Sequence, residues 1–301
     1  MKVAAAGIAA MLLSCLAPAY AQDYPTKPIK IVVPYAAGGS TDALARLVAE
    51  RMGPRLGQTA IVENKPGASE QIAITGVTKA APDGYTINPT KDLSPILLAA
   101  TVPSVVVVHP SVPVKSMSEL AAYLKSKLGA VSYSSAGNGT PSHLAMEYYN
   151  RQNGFDPVHV PYKGGAPALQ ELMGGQVSLM MALVPEAMPL VKSGRLRALA
   201  VTTTKRLAAR PDLPTVAESG GKDFDMTFWY AFMAPANTPP AIVTRLNEAI
   251  DTILREKDVV VRLSETSLDV VGGAPAKVTD IITSDSARWK KVIDEAGIKV
   301  D

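Results

Sequence analysis

Residues 30–57 read KIVVPYAAGGSTDALARLVAERMGPRLG. The first five are a short apolar, β-branched run, which predicts a buried strand. A loop follows through Ser40. From Thr41 to Leu56, the apolar residues Leu44, Leu47, Val48, Met52 and Leu56 recur at helical spacing, with Arg46, Glu50 and Arg51 on other faces. That pattern predicts an amphipathic helix, closed by Gly57. A strand that runs through a glycine loop into a helix is one unit of an open α/β sheet.

The unit recurs along the chain after this stretch. Strand 60–63 precedes helix 71–80. Residues 105–108 are all valine, a strand buried on both faces. Helix 118–127 is entered through Ser116. Strand 131–134, loop 135–141 and helix 142–150 repeat the pattern, as do strand 158–160, loop 161–165 and helix 166–173. Strands 177–183, 196–202 and 229–233 and helices 240–255 and 275–296 complete the reading. The expectation is a parallel sheet covered by helices.

With 301 residues, 47% of them hydrophobic and 19% charged, the composition is globular, and the length suits two domains. Lys2, the apolar run 3–16 and Ala19-Tyr20-Ala21 have the form of a cleavable secretory signal. Leu12-Leu13-Ser14-Cys15 is a weak lipobox, the rival reading. Cys15 is the only cysteine, so a chain cleaved after Ala21 has no disulfide and no thiolate chemistry. Removing Lys2 leaves 29 basic residues against 27 acidic, a net charge of +2 that is no footprint for nucleic acid.

Three strand–loop–helix junctions place glycines and small hydroxyl residues at helix starts. Glycine lets backbone amides approach a ligand closely. The first turn of a helix leaves its amides without partners and carries positive dipole, which together make an anion site without a basic side chain. Such loops gather at the carboxyl ends of the strands, where ligands bind. Candidate ligand-binding residues are Tyr35, Ala37, Gly38, Gly39, Ser40, Thr41 and Asp42 in the first junction. Those of the second are Ser134, Ala136, Gly137, Asn138, Gly139 and Thr140, and those of the third Tyr162, Lys163, Gly164 and Gly165. Trp229 is a candidate cleft wall. For each junction, ordinary helix capping is the competing account.

No nucleotide fingerprint, metal motif or nucleophile elbow is present. His109 and His159 read as structural, and His143 as a cap or packing residue beside the second loop. Carboxylates read as scattered rather than paired. Glu186, after Pro185, either faces the cleft or is a solvated surface acid. No catalytic residue, metal or cofactor is expected.

The stretches YPTKPIKIVVPYAAGGSTDALARLVAERMGPRLGQ from Tyr24, VENKPGA from Val62, AAPDGYT from Ala80, SYSSAGNGTPSHLA from Ser132, HVPYKGGAPALQELMGGQVSLM from His159, LRALAVTTTKRLAARPDLPTVAESG from Leu196 and WYAFMAPANTP from Trp229 run in order along the chain. Together they resemble the substrate-binding proteins of tripartite tricarboxylate transporters, the Bug family of periplasmic receptors. The resemblance implies a two-domain, periplasmic-binding-protein-like (type II) α/β fold with a ligand cleft between the domains. It places residues 1–21 in the signal, 22–103 plus 226–301 in the first domain and 104–225 in the second. It implies a small carboxylate ligand, a monomer, and a membrane permease or a sensor kinase as partner. Two departures stand out. Relatives read PGAGGNIG where this chain has Ser69 and Glu70, and a segment of the relatives after Tyr85 is absent, which threatens one wall of the cleft and makes a degenerate receptor the further alternative.

Overall fold

The computed structural model describes residues 24–67, 70–87, 93–221 and 224–296. The expected export signal lies outside them, as do Ser69 and residues 88–92 beside the shortened stretch.

The opening strand–loop–helix unit forms as read. Strand β1 (Ile29–Val33) runs into helix α1 (Ser40–Leu56), and Gly57 ends the helix in the left-handed conformation, at φ 75°, with its amide on the Gly53 carbonyl. Ile29, Ile31 and Val33 pack with Leu44, Leu47, Val48 and Met52 of the helix, all buried. Each such side chain contributes about 1.5–3 kcal/mol relative to exposure. The register of β2 (Ala60–Asn64) on β1 is parallel, from Ile29 opposite Ala60 to Val33 opposite Asn64. Helix α2 (Gln71–Thr78) leads to β3 (Thr86–Ile87), parallel to β1 on its other side, giving a three-stranded sheet in the order β2-β1-β3.

A second sheet is antiparallel. Its central strand is β4 (Leu93–Val102), flanked by β10 (Phe228–Pro235) and β11 (Asp269–Val270). The residue pattern of Leu93–Val102 predicts no element. Pro95 lies within it, a residue that counts against a central strand. The structure accommodates it at an irregularity, where the register shifts between Phe232 and Met233 and Met233 faces Pro95.

Pro103 separates β4 from β5 (Ser104–Val108), which belongs to a third, five-stranded sheet in the order β7-β6-β8-β5-β9. Its other strands are β6 (Ser132–Ser135), β7 (Val158–Pro161), β8 (Leu179–Leu183) and β9 (Arg197–Val201). All five residues of β5 are buried, as its valine run predicts. The direction differs from expectation: β6 is parallel to β7 and β8, but β5 is antiparallel to β8 and β9. An unbroken apolar run reports burial on both faces and carries nothing about strand polarity.

Between these strands lie α3 (Met117–Ser126), α4 (Pro141–Asn153), α5 (Gly165–Met173) and α6 (Val184–Lys192). Ser116 caps α3 by accepting the Glu119 amide at 3.2 Å, and Glu119 returns a bond to the Lys115 amide at 2.6 Å. The C-terminal part contributes α7 (Pro240–Leu254), α8 (Lys257–Glu265) and α9 (Ala276–Ala296). Helix α9 packs on β4 and also on α4, so it touches both the second sheet and a helix of the third.

The chain returns from the third sheet after β9, beside the point where it entered. Fully buried Thr202 ties the two passages: its Oγ1 lies 3.2 Å from the Ser104 amide and 3.0 Å from the Met226 carbonyl. The Thr202 amide donates to the Ser104 carbonyl at 2.9 Å, and the Met226 amide to the Thr202 carbonyl at 2.9 Å.

Candidate functional site

The first loop is pinned from within by Asp42. Gly38, at φ 93°, turns its amide onto Asp42 Oδ2 at 3.0 Å, a backbone conformation that favours glycine. The same carboxylate accepts from Arg46 Nε at 2.9 Å and Asn64 Nδ2 at 3.0 Å, and Asn64 also donates to the Tyr35 carbonyl. Burial works against the Asp42 charge, but the bonds from Arg46, the Gly38 amide and Asn64 outweigh it and hold the carboxyl below its ordinary range. Asp42 is thus buried behind the loop, while Ala37 and Gly38 are exposed.

The start of α1 is already gripping an anion, and that anion is Glu186. The Ser40 amide donates to Glu186 Oε1 at 2.9 Å and the Ser40 hydroxyl to the same atom at 2.7 Å. The Tyr230 hydroxyl lies 2.6 Å from Ser40 Oγ. Glu186 comes from the first turn of α6, and its carboxyl fits only because two glycines flank it. A Cβ on Gly39 would sit 3.1 Å from Oε1, and one on Gly165 would overlap Oε2. Burial pushes the Glu186 carboxyl above its usual value, partly offset by the two Ser40 bonds.

A second carboxyl lies on the same cavity. Tyr35 OH donates a hydrogen bond to Glu70 Oε1. Burial raises the Glu70 carboxyl, with the Tyr35 bond opposing, and burial beside Glu70 raises the Tyr35 hydroxyl. The Tyr230 hydroxyl is likewise raised, by burial and then by Glu186. The carboxylates read as scattered in the sequence therefore include Glu70 and Glu186 on one cavity, where Asp285 and Asp294 also lie.

The second loop satisfies itself. The Ala136 amide donates to Ser142 Oγ at 2.9 Å, the Gly137 amide to Ser135 Oγ at 3.1 Å, and the Gly139 amide to His143 Nδ1 at 3.0 Å. The Thr140 amide and hydroxyl both donate to the Gly137 carbonyl. His143 stacks on His159 at 4.0 Å between centroids, and His159 stacks on Tyr133 and lies 2.6 Å from Ser135 Oγ through Nε2. Burial lowers both imidazoles, His159 to about 4 with His143 adding to the effect. Ser134 is fully buried and donates to the Ala168 carbonyl at 3.4 Å.

The third loop meets the first directly. The Ala36 amide donates to the Lys163 carbonyl at 3.2 Å, and a Cβ on Gly164 would stand 3.2 Å from the Ala36 nitrogen. Glycine at 164, with φ 129°, is what permits this approach. The Lys163 residue is exposed, and Tyr162 packs against the apolar cluster of Val105, Val107 and Ala182.

These elements surround a cavity of about 940 Å³. Of the candidate residues, Tyr35, Gly39, Thr41, Ala136, Gly139, Gly165 and Trp229 line it. Ala37, Gly38, Ser40, Asp42, Ser134, Gly137, Asn138, Thr140, Tyr162, Lys163 and Gly164 stand behind or beside that surface, and several of them shape it. The lining also includes Glu70, Tyr230 and Glu186, of whose two sequence readings the cleft-facing one holds, and one face of α9 with Asp285 and Trp289. Trp229 Nε1 donates to Asp285 Oδ2 at 2.7 Å, joining β10 to α9. The position of Glu186, just past the carboxyl end of β8, is where ligand loops gather and was the available signal. For α9 no local signal exists. Among the described residues, no cluster of side chains fit to hold a metal ion occurs, and no helix is long and apolar enough to cross a membrane.

A family model described as tripartite tricarboxylate transporter family receptor matches residues 44–89 and 87–298. The two matched segments meet at residues 87–89, within the stretch where the resemblance leads one to expect a missing segment. Protein BugT of Bordetella pertussis is 33% identical, over 99% of this chain and 96% of that protein. Among solved structures, R. palustris Rpa4515 with adipate superposes with a TM-score of 0.88 at 35% identity, covering 92% of this chain and 99% of that one. The periplasmic binding protein BugD superposes with a TM-score of 0.87 at 34% identity, again covering 92% and 99%. The fold is that of these two-domain periplasmic binding proteins.

Proposed function

The chain belongs to the tripartite tricarboxylate transporter receptor family, and on that premise we propose that it captures a small carboxylate in the periplasm and presents it to a membrane permease, without catalysis. The observation that carries this is the cavity itself. It lies between Tyr35 and Tyr230 on one side and Gly139, Gly165 and Glu186 on the other, residues drawn from different sheets and the loops that follow them. The proposed division puts residues 22–103 with 226–301 in one domain and 104–225 in the other. The paired passages at Ser104 and Met226, tied by Thr202, support a hinge at that boundary. Residues 1–21 would then direct export. The adipate held by the R. palustris relative supports the ligand class.

Calorimetry of the purified protein against di- and tricarboxylates, aromatic acids and amino acids tests the reading. Binding of at least one of them, with one site per chain, is expected. A folded sample that binds none of them overturns it.

A further inference from the structure

The end of the cavity where a ligand carboxylate would be gripped holds a carboxylate of the chain's own. Glu186 Oε1 takes both the amide and the hydroxyl of Ser40, the donors that a helix start offers to an anion. Gly39 and Gly165 leave room for this carboxyl, which a Cβ on Gly165 would overlap and one on Gly39 would crowd. Glu70 adds a second carboxyl on the same cavity, bonded to Tyr35. Of the charged residues lining the rest, Asp285 and Asp294 are acidic. The basic one among the described lining residues, Lys290, is paired with Asp294 at 2.6 Å.

We infer that Glu186 is a built-in anion that fills the carboxylate seat at the start of α1, and that the cavity therefore favours monocarboxylates bearing an ammonium group at their other end over dicarboxylates. This rests on the receptor reading above. A dicarboxylate entering this cavity brings one carboxylate beside Glu186 and Glu70, where like charges disfavour each other. Alternatively it displaces Glu186, which then loses two charge-assisted bonds. An ammonium group instead finds acceptors on both carboxyls. The choice is made as much by repulsion of the wrong ligand as by attraction of the right one.

The test uses adipate and its ω-amino counterpart, a pair of equal chain length in which an ammonium replaces one carboxylate. Calorimetry of the wild-type protein is expected to give at least about tenfold tighter binding of the amino compound, or about 1.4 kcal/mol. Glu186→Ala is expected to reverse that preference and to be stabilised against heat by acetate, which leaves the wild type unmoved. Glu186→Gln, close to isosteric, guards against loss of the fold and should narrow the preference. Tighter wild-type binding of adipate, or an unchanged ratio in both variants, overturns the inference while leaving a carboxylate receptor standing. If the wild type binds no carboxylate, the receptor reading fails, and the acetate arm still decides the seat. Acetate stabilising only Glu186→Ala supports a built-in anion, and acetate stabilising neither protein refutes it.

Discussion

The first and second glycine loops are alike in sequence and opposite in how they are held. Both follow a strand, both carry glycines and small hydroxyls, and both open a helix. In the second, residues within a few positions supply the acceptors: Ser135, Ser142 and His143 take the amides of Gly137, Ala136 and Gly139. In the first, only Gly38 is served locally, by Asp42. Ser40 is served by Glu186, 146 residues away on the other side of the cavity. The second loop therefore keeps its shape wherever its sheet goes, whereas the start of α1 loses its anion when the two sides part. Amides at a helix start bind whichever acceptor reaches them first, and a ligand is only one of the contenders.

Four perturbations break or sharpen this contrast. The largest effect is expected from Gly165→Ala, whose Cβ overlaps Glu186. Expelling that carboxyl strips Ser40 of its acceptor, and we expect a loss of about 3 kcal/mol in urea unfolding, with affinity for the ω-amino carboxylate falling in parallel. An unchanged unfolding midpoint would show that the Glu186 contact to Ser40 is dispensable to stability. Next, Asp42→Ala should cost about 2–3 kcal/mol by leaving Gly38, Arg46 and Asn64 without their buried partner. The Asp42 folded-state carboxyl is lowered from 3.8, so its contribution is present above that value and disappears as pH falls through the folded value. Asp42→Asn should flatten the acid side of the stability curve, and a curve parallel to the wild type would contradict this.

The second loop is expected to show its own pH signature. His159 is lowered from 6.5 to about 4, so the folded state holds it neutral. Its contribution is complete above the unfolded value of 6.5 and is lost as pH falls toward 4. The loss should be on the order of 2 kcal/mol after allowing for partial solvent screening. His159→Gln should remove that slope between those values, measured by urea titration at several pH values. Equal slopes in both proteins would place the titration elsewhere. The smallest effect is expected from Ser142→Ala, which removes one acceptor from the Ala136 amide at the cavity wall and should cost about 1 kcal/mol, with ligand affinity falling by no more than that. A larger loss of binding than of stability would show that the second loop, too, depends on what lies across the cavity.

Much of the architecture was legible because it is written locally. The helix from Ser40 differs from its sequence reading by one residue at its start, and Gly57 ends it as expected. The valine strand is buried on both faces. What escaped reading was non-local. Leu93–Val102 is the strand to which both β10 and β11 pair, yet Pro95 disguises it, and only its partners reveal how a register shift absorbs that residue. Helices α6 and α8 were also missed, and with α6 the surroundings of Glu186.

By itself, the sequence determined the strand–loop–helix units, the glycine-bearing helix starts and the family, because side-chain periodicity and backbone preference act over a few residues. The tertiary structure alone decided the direction of β5, the place of α9 along the cavity and the acceptor of Ser40. Those depend on which distant groups come within about 3 Å of one another, and a hydrogen bond of that length forms between neighbours in space irrespective of their separation along the chain.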